Sequence, residues 1–182
     1  MFCAYDHSRK RHPEVRGKRI TITIDEEVKP EIRVLILGVG NLLLKDEGIG
    51  VHVARRLANA GLPGDVRVVD CGTRLLDALS LVKNADRLII IDAVKTGAQP
   101  GTIFRLRDKD ISESPKRAVS LHQLSLLETL EIADKVVARP TTTIIGIEPE
   151  DVSPGMDLSP TLTGLVPKIV DLVLAEVSGQ ID

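Results

Sequence analysis

Apolar positions along this chain follow two rhythms. Arg33-Val34-Leu35-Ile36-Leu37, Val66-Arg67-Val68-Val69 and Leu88-Ile89-Ile90-Ile91 are short, nearly continuous apolar runs separated by helix-like stretches. Such runs predict strands buried on both faces of a parallel sheet. The second rhythm is helical. From Asp46 to Ala60 the residues Ile49, Val53 and Leu57 recur at helical spacing, with Asp46 as the expected N-cap and Gly61-Leu62-Pro63-Gly64 as the stop. Arg74 to Val82 predicts a second helix whose apolar face is Leu75, Leu76, Leu79 and Val82. Ala98-Gln99-Pro100-Gly101 predicts a turn into a strand at Thr102–Leu106. Its short connection from the preceding strand favours an antiparallel edge position. Further on, Gln123–Ala133 reads as helix, Thr141–Ile147 as strand and Pro160–Val177 as a closing helix, with Pro167 a kink or restart. The predicted architecture is an α/β three-layer sandwich, a mostly parallel twisted sheet with helices on both faces.

The predicted strands lead to carboxylates. The first passes through Gly38-Val39-Gly40-Asn41 to Asp46-Glu47, the second stops at Asp70 and the third at Asp92. In parallel sheets the ligand crevice lies outside the carboxyl ends of the strands. If the three strands are neighbours, acidic groups converge on one edge, where a cation, a proton or a basic substrate must compensate them.

Composition narrows the setting. A length of 182 residues, 43% apolar and 27% charged, fits one domain with a sizeable core. Aromatic residues are only 2%, which weighs against the stacking platforms of single-stranded nucleic-acid binding. A net charge of -2 provides no global field for DNA or anionic lipid. Residues 1–30 stand apart as a basic extension: Arg9, Lys10, Arg11, Arg16, Lys18 and Arg19 face only Asp6 and Glu14 in the first twenty positions. This extension reads as a solvated tail or as a docking arm for an acidic partner, and Ile20–Ile24 as a short edge strand. Residues 31–182 then form the single α/β domain. No stretch has the length of a membrane span or the h-region of a signal peptide, so a cytoplasmic location is expected by default.

The glycines after the first strand invite a dinucleotide-binding reading, but Leu43 stands where the third glycine belongs, and a tight strand-to-loop turn is favoured. Glu47 falls in the first turn of a helix, where acidic residues commonly complement the dipole. Asp92 ends a strongly apolar strand, where an unpaired charge is costly. It is either satisfied by loop amides or part of a site. Asp70 has the same placement and the same alternative, through amides in Cys71-Gly72-Thr73. His122, in Ser120-Leu121-His122-Gln123, is an ordinary loop residue on its own. Beside two carboxylates it becomes a third ligand for a divalent transition metal that polarises a carbonyl or activates water. A rival reading makes Cys71 a nucleophile with His122 as its base. The neighbouring acid disfavours the thiolate, so a buried structural cysteine is expected.

The segment Gly38-Val39-Gly40-Asn41-Leu42-Leu43-Leu44-Lys45-Asp46-Glu47-Gly48-Ile49-Gly50 resembles the opening signature of the nickel–iron hydrogenase maturation endopeptidases. The resemblance continues through Asp70-Cys71-Gly72-Thr73, Asp92-Ala93, Ser120–Leu124 and Gly146-Ile147-Glu148-Pro149-Glu150, in the family's order, over residues 33 to about 175. Cys71 stands where the family often has Gly, and Leu121 where Pro is frequent. The resemblance implies an endopeptidase that removes a C-terminal extension from the hydrogenase large-subunit precursor once nickel is installed. It also implies metal ligands at Glu47, Asp92 and His122. The metal would be nickel, carried by the protease or presented by the substrate. Asp70 is expected to orient the site or the glycine loop, or to act as a general base. The alternative from another class is a non-catalytic, nickel-sensing chaperone docking on the large subunit.

Overall fold

The computed structural model describes residues 32–107, 110 and 140–180. The basic extension and the expected helix at Gln123–Ala133 therefore lie outside the described residues. Five strands form one sheet: β1 (Ile32–Val39), β2 (Val66–Gly72), β3 (Ala85–Ala93), β4 (Ile103–Arg107) and β5 (Thr141–Ile147), in the order β2-β1-β3-β5-β4. The first four in that order are mutually parallel, and β4 pairs antiparallel with β5 at the edge, as its short connection predicts. Burial on both sides explains the continuous apolar runs of β1 and β3, whereas β2, expected to be buried likewise, lies at the sheet edge and is mostly half-buried or exposed. Val34, Ile36, Ile89, Ile91, Ile145 and Ile147 pack on one face, and Leu35, Leu37, Leu88, Ile90 and Ile144 on the other.

Helices α1 (Ile49–Leu57) and α3 (Pro160–Ser178) cover the first face. Ile49, Val53 and Leu57 of α1 have no exposed surface, in keeping with their spacing. Helix α1 sits unusually close to the sheet. A Cβ on Gly50 would lie 2.1 Å from the Ile91 oxygen and 2.3 Å from the Val39 oxygen, and one on Gly38 would lie 2.3 Å from the Gly50 oxygen. Helix α3 begins where Ser159 Oγ accepts from the Leu162 amide at 3.2 Å, with Pro160 in the first turn, and ends at Gly179 with φ +70°. It runs through Pro167 without interruption. None of the described helices is long and apolar enough to cross a membrane.

Two local expectations need correction. Asp46 does not cap α1. The chain enters through a 3-10 turn at Lys45–Gly48, so Asp46 sits inside that turn with its carboxylate directed elsewhere. The second helical stretch is a 3-10 turn at Leu75–Ala78 followed by the short α2 (Leu79–Val82). It covers the opposite face with Leu75, Ala78 and Val82, and Leu76 is 58% exposed. The tighter 3-10 winding rotates Leu76 off the face that a uniform α-helical period assigns to it.

At the amino ends of the strands, Glu176 of α3 is buried and accepts from Arg105 at 2.8 Å, from Thr143 Oγ1 at 3.2 Å and from Arg87 at 3.4 Å. This network ties α3 to β3, β4 and β5.

The close seat of α1 generates a test. Gly50→Ala gains up to about 1 kcal/mol of helix propensity. It also drives a methyl group into two backbone oxygens, an overpacking cost of about 3 kcal/mol. The overlap wins, so urea unfolding is expected to show a net loss of about 2 kcal/mol. Unchanged or increased stability would mean that α1 does not lie this close to the sheet.

Candidate functional site

The connection leaving β1 turns toward β2, whereas the one leaving β3 runs to β4 on the other side. Adjacent parallel strands whose connections diverge leave a crevice at their carboxyl ends. Here it opens between β1 and β3. Glu47 lies in the turn after β1, and Asp92 is the penultimate residue of β3.

Asp92 is 1% exposed. Its Oδ1 accepts from the Ala93 amide at 2.8 Å, while its Oδ2 is buried without a hydrogen-bond partner among the described residues. Burial pushes the carboxyl up to about 7, the Ala93 amide opposes this, and the Glu47 charge pushes it further up. The structure thus brings Glu47 and Asp92 together, as the sequence led us to expect. The orphaned, buried oxygen beside a second carboxylate fits a cation or a proton. Among the described residues no group of three or more His, Cys, Asp or Glu completes a metal cluster. His122 lies outside the described residues.

Both carboxylates rest on loops held by further buried acids. Asp46 has no exposed surface. Its Oδ2 accepts from the Glu150 and Asp151 amides, both at 2.9 Å, and its Oδ1 from the Ser159 amide at 2.7 Å. The same turn is laced to the 150–159 segment by Lys45 N–H to the Gly155 oxygen at 2.9 Å, Gly155 N–H to the Leu43 oxygen at 2.9 Å and the Lys45–Asp151 ion pair. Lys45 is held at φ +42°, an uncommon conformation for a residue with a side chain. Across the crevice, Glu148 after β5 accepts from the Thr96 amide at 2.8 Å, Thr96 Oγ1 at 2.7 Å and the Gly97 amide at 3.1 Å. Burial pushes the Glu148 carboxyl up, but these bonds outweigh it and leave the group below its ordinary value. Gly40, at φ +143°, faces the Glu47 carbonyl so closely that a Cβ would lie 1.9 Å from that oxygen. The glycine pair therefore serves a close backbone approach, the alternative favoured over a nucleotide loop.

Asp70 is not brought to the same place. It shares the sheet face of Val66 and Val68, toward α1, whereas Asp92 shares the face of Leu88 and Ile90. Its carboxylate pairs with Arg55 Nε of α1 at 2.9 Å and accepts from the Gly72 amide at 3.1 Å. The Gly72 oxygen in turn accepts from the Gly40 amide at 2.9 Å. Asp70 thus reaches the crevice only through the glycine loop. Burial, then Asp70, then Asp77 push the Cys71 thiol up to about 11, so it stays protonated at neutral pH, which agrees with a structural cysteine.

A family model described as hydrogenase maturation protease matches residues 51–176. The hydrogenase 2 maturation protease of Escherichia coli K12 is 36% identical over 147 residues, covering 79% of this chain and 90% of that protein. The hydrogenase expression/formation protein HupD of Rhodobacter capsulatus is 38% identical over 152 residues, covering 81% and 70%. Among solved structures, the hydrogenase maturating endopeptidase HybD of E. coli superposes with a TM-score of 0.73 at 34% identity, covering 82% of this chain and 94% of that one. The [NiFe] hydrogenase maturation protease HybD of Thermococcus kodakarensis gives 0.65 at 30% identity, covering 78% and 97%.

Asp92 makes stability pH-dependent in metal-free protein. Its carboxyl is ordinarily near 3.8 and is raised to about 7 on folding. The unfolded chain therefore releases its proton first. Stability from this group is full below pH 4, falls as pH rises toward 7 and is flat above, by up to about 4 kcal/mol. Urea unfolding of the chelated protein at stepped pH should show this slope in the wild type and lose it in Asp92→Asn, which should be the more stable protein at pH 8. An identical pH profile for the two proteins would contradict the placement of Asp92.

Proposed function

The chain belongs to the hydrogenase maturation protease family and is a peptidase, and from that premise we propose that it is the endopeptidase that removes the C-terminal extension of a nickel–iron hydrogenase large-subunit precursor after nickel insertion. The observation that carries this reading is the buried Asp92 Oδ2, without a hydrogen-bond partner among the described residues, beside the Glu47 charge. A buried carboxylate beside a second acid favours a positive charge, and a nickel ion presented by the precursor is a substrate that supplies one.

In this reading Glu47, Asp92 and His122 hold the metal. Carboxylate and imidazole are ordinary ligands for borderline divalent ions. A bound divalent ion supplies charge that polarises the scissile carbonyl. The chain's own residues do the rest. Asp92 presents an oxygen free of hydrogen bonds to the described residues. Its burial excludes water from that side, and the Glu47 backbone is fixed by the Asn41 amide, which donates to its carbonyl at 3.2 Å. Asp70 orients the glycine loop through Gly72 rather than serving as a general base, a role supported by its engagement with Arg55 and the Gly72 amide. The chaperone alternative is not favoured, since the relatives are named as proteases and endopeptidases.

We assign catalysis to residues 31–182 and treat residues 1–30 as an extension. Deleting 1–30 is expected to leave the cleavage rate within about twofold. A loss greatest at low ionic strength would instead make this segment a docking arm.

The central test is precursor cleavage followed by mass spectrometry, with nickel-loaded and nickel-free precursor under chelation of free metal. Cutting is expected only of the loaded form. Glu47→Gln, Asp92→Asn and His122→Ala should each lower it by about 100-fold or more while the circular dichroism of the fold is retained. Equal cutting of both precursors would remove nickel from the reading. Near-normal cutting by His122→Ala would remove that residue from the site.

A further inference from the structure

Three acidic residues near the crevice are almost fully buried: Asp92, Asp46 and Glu148. Among the described residues Asp92 has an oxygen without a partner, whereas Asp46 and Glu148 each gather three hydrogen bonds from other segments. Burying a carboxylate is costly, and a core position does not need one. What the two have in common is where their bonds lead. Asp46 immediately precedes Glu47 and binds amides of the segment that follows β5. Glu148 begins that same segment and binds the loop that follows Asp92, at Thr96 and Gly97. The stretch from Glu148 to Asp151 is therefore a short strut. One end holds the Glu47 turn and the other holds the Asp92 loop. Backbone bonds reinforce it at both ends, with Val94 N–H donating to the Ile147 oxygen at 2.9 Å and Asp46 N–H to the Asp151 oxygen at 3.1 Å.

We propose that Asp46 and Glu148 are positioning residues, two carboxylate staples that set the spacing of Glu47 and Asp92 through the 148–151 strut. The proposal rests on the peptidase reading above. Only a carboxylate serves in this role. Both of its oxygens accept, so it can meet amides from several directions, whereas the isosteric amide turns one acceptor into a donor facing a donor. A shift of about 1 Å in groups that act together is enough to cost about 100-fold in rate. Residues that orient metal ligands typically govern about 10- to 100-fold in affinity or activity.

The test uses the full chain with Asp46→Asn, Glu148→Gln and the milder Thr96→Val, which removes one donor to Glu148 from an exposed residue. Val173→Ala, in the core under α3, serves as a control for lost stability alone. Amide exchange is followed at residues 41–48 and 94–98, cleavage of nickel-loaded precursor gives kcat and KM, and equilibrium dialysis with nickel ion gives affinity. Asp46→Asn should speed exchange at 41–48, and Glu148→Gln at 94–98. Each should lower kcat about 10- to 100-fold and weaken nickel binding at least about tenfold, with KM within about twofold. Thr96→Val should give a smaller fall of the same kind, so the outcome does not depend on the two amide variants folding. Val173→Ala should lower the melting temperature without changing kcat per folded molecule. Staple variants with wild-type kcat and nickel affinity, or losses no greater than those of Val173→Ala, would overturn the proposal while leaving the peptidase reading intact. A wild-type chain that neither binds nickel nor cuts the precursor would defeat both.

Discussion

The divergence of the chain at the ends of β1 and β3 governs everything functional in this protein. One connection turns toward β2 and the other runs away toward β4, so neither of these two connections crosses the gap between them. A gap of this kind in a parallel sheet is bordered by strand ends and the starts of loops, where polar groups reach solvent without breaking the ladder. The close seat of α1, permitted by Gly38 and Gly50, brings the Glu47 turn down onto the same gap. Shape here precedes chemistry: the crevice would exist whatever side chains bordered it, and the acids make it a site.

The same residue class plays opposite roles around one crevice. Asp46 and Asp92 are both fully buried aspartates. Asp46 is surrounded by amides that satisfy it and becomes structural support. Among the described residues Asp92 receives only its neighbour's amide on one oxygen; it faces the Glu47 charge and is pushed far above its ordinary value. The number of donors directed at each carboxylate separates a support from a reactive group. This accounting also separates Asp70, exposed and paired with Arg55, from the reactive group. Glu176, at the far end of the sheet, is a third case: a buried carboxylate answered by Arg105 and Arg87, which secures α3 away from the crevice.

Much of this was legible in residue order. Strands buried on both faces announce themselves by unbroken apolar runs, and β1 and β3 follow that rule, whereas the similar run of β2 forms a partly exposed edge. A helix packed on one side shows a single stripe, and Ile49, Val53 and Leu57 are that stripe. The antiparallel edge at β4 follows from a connection too short for a crossover. Asp92 could be singled out because a charge at the end of an apolar run needs a reason to be there, whereas Glu47, in a helix's first turn, stood out through the family resemblance. The helix beginning at Arg74 was harder to read, because four apolar residues fit several faces. Only the 3-10 turn decides that Ala78 goes inward and Leu76 outward.

The sequence by itself determined the sheet, its parallel character, the order of helix and strand, and the short list of acids from which a site is built, because these depend on local periodicity and on the cost of burying charge. Tertiary structure alone decided what each acid does. Whether Asp46 caps its own helix or binds amides more than a hundred positions away depends on where the 150–159 segment lies, and no local pattern encodes that. Likewise Asp70 and Asp92 look alike in one dimension. They part company because Asp70 lies level with Ile91 across β1, so strand alternation places Asp92 on the opposite face of the sheet. Partnership between distant amides and a buried carboxylate is a property of three-dimensional proximity, and proximity is fixed only once the whole sheet has assembled.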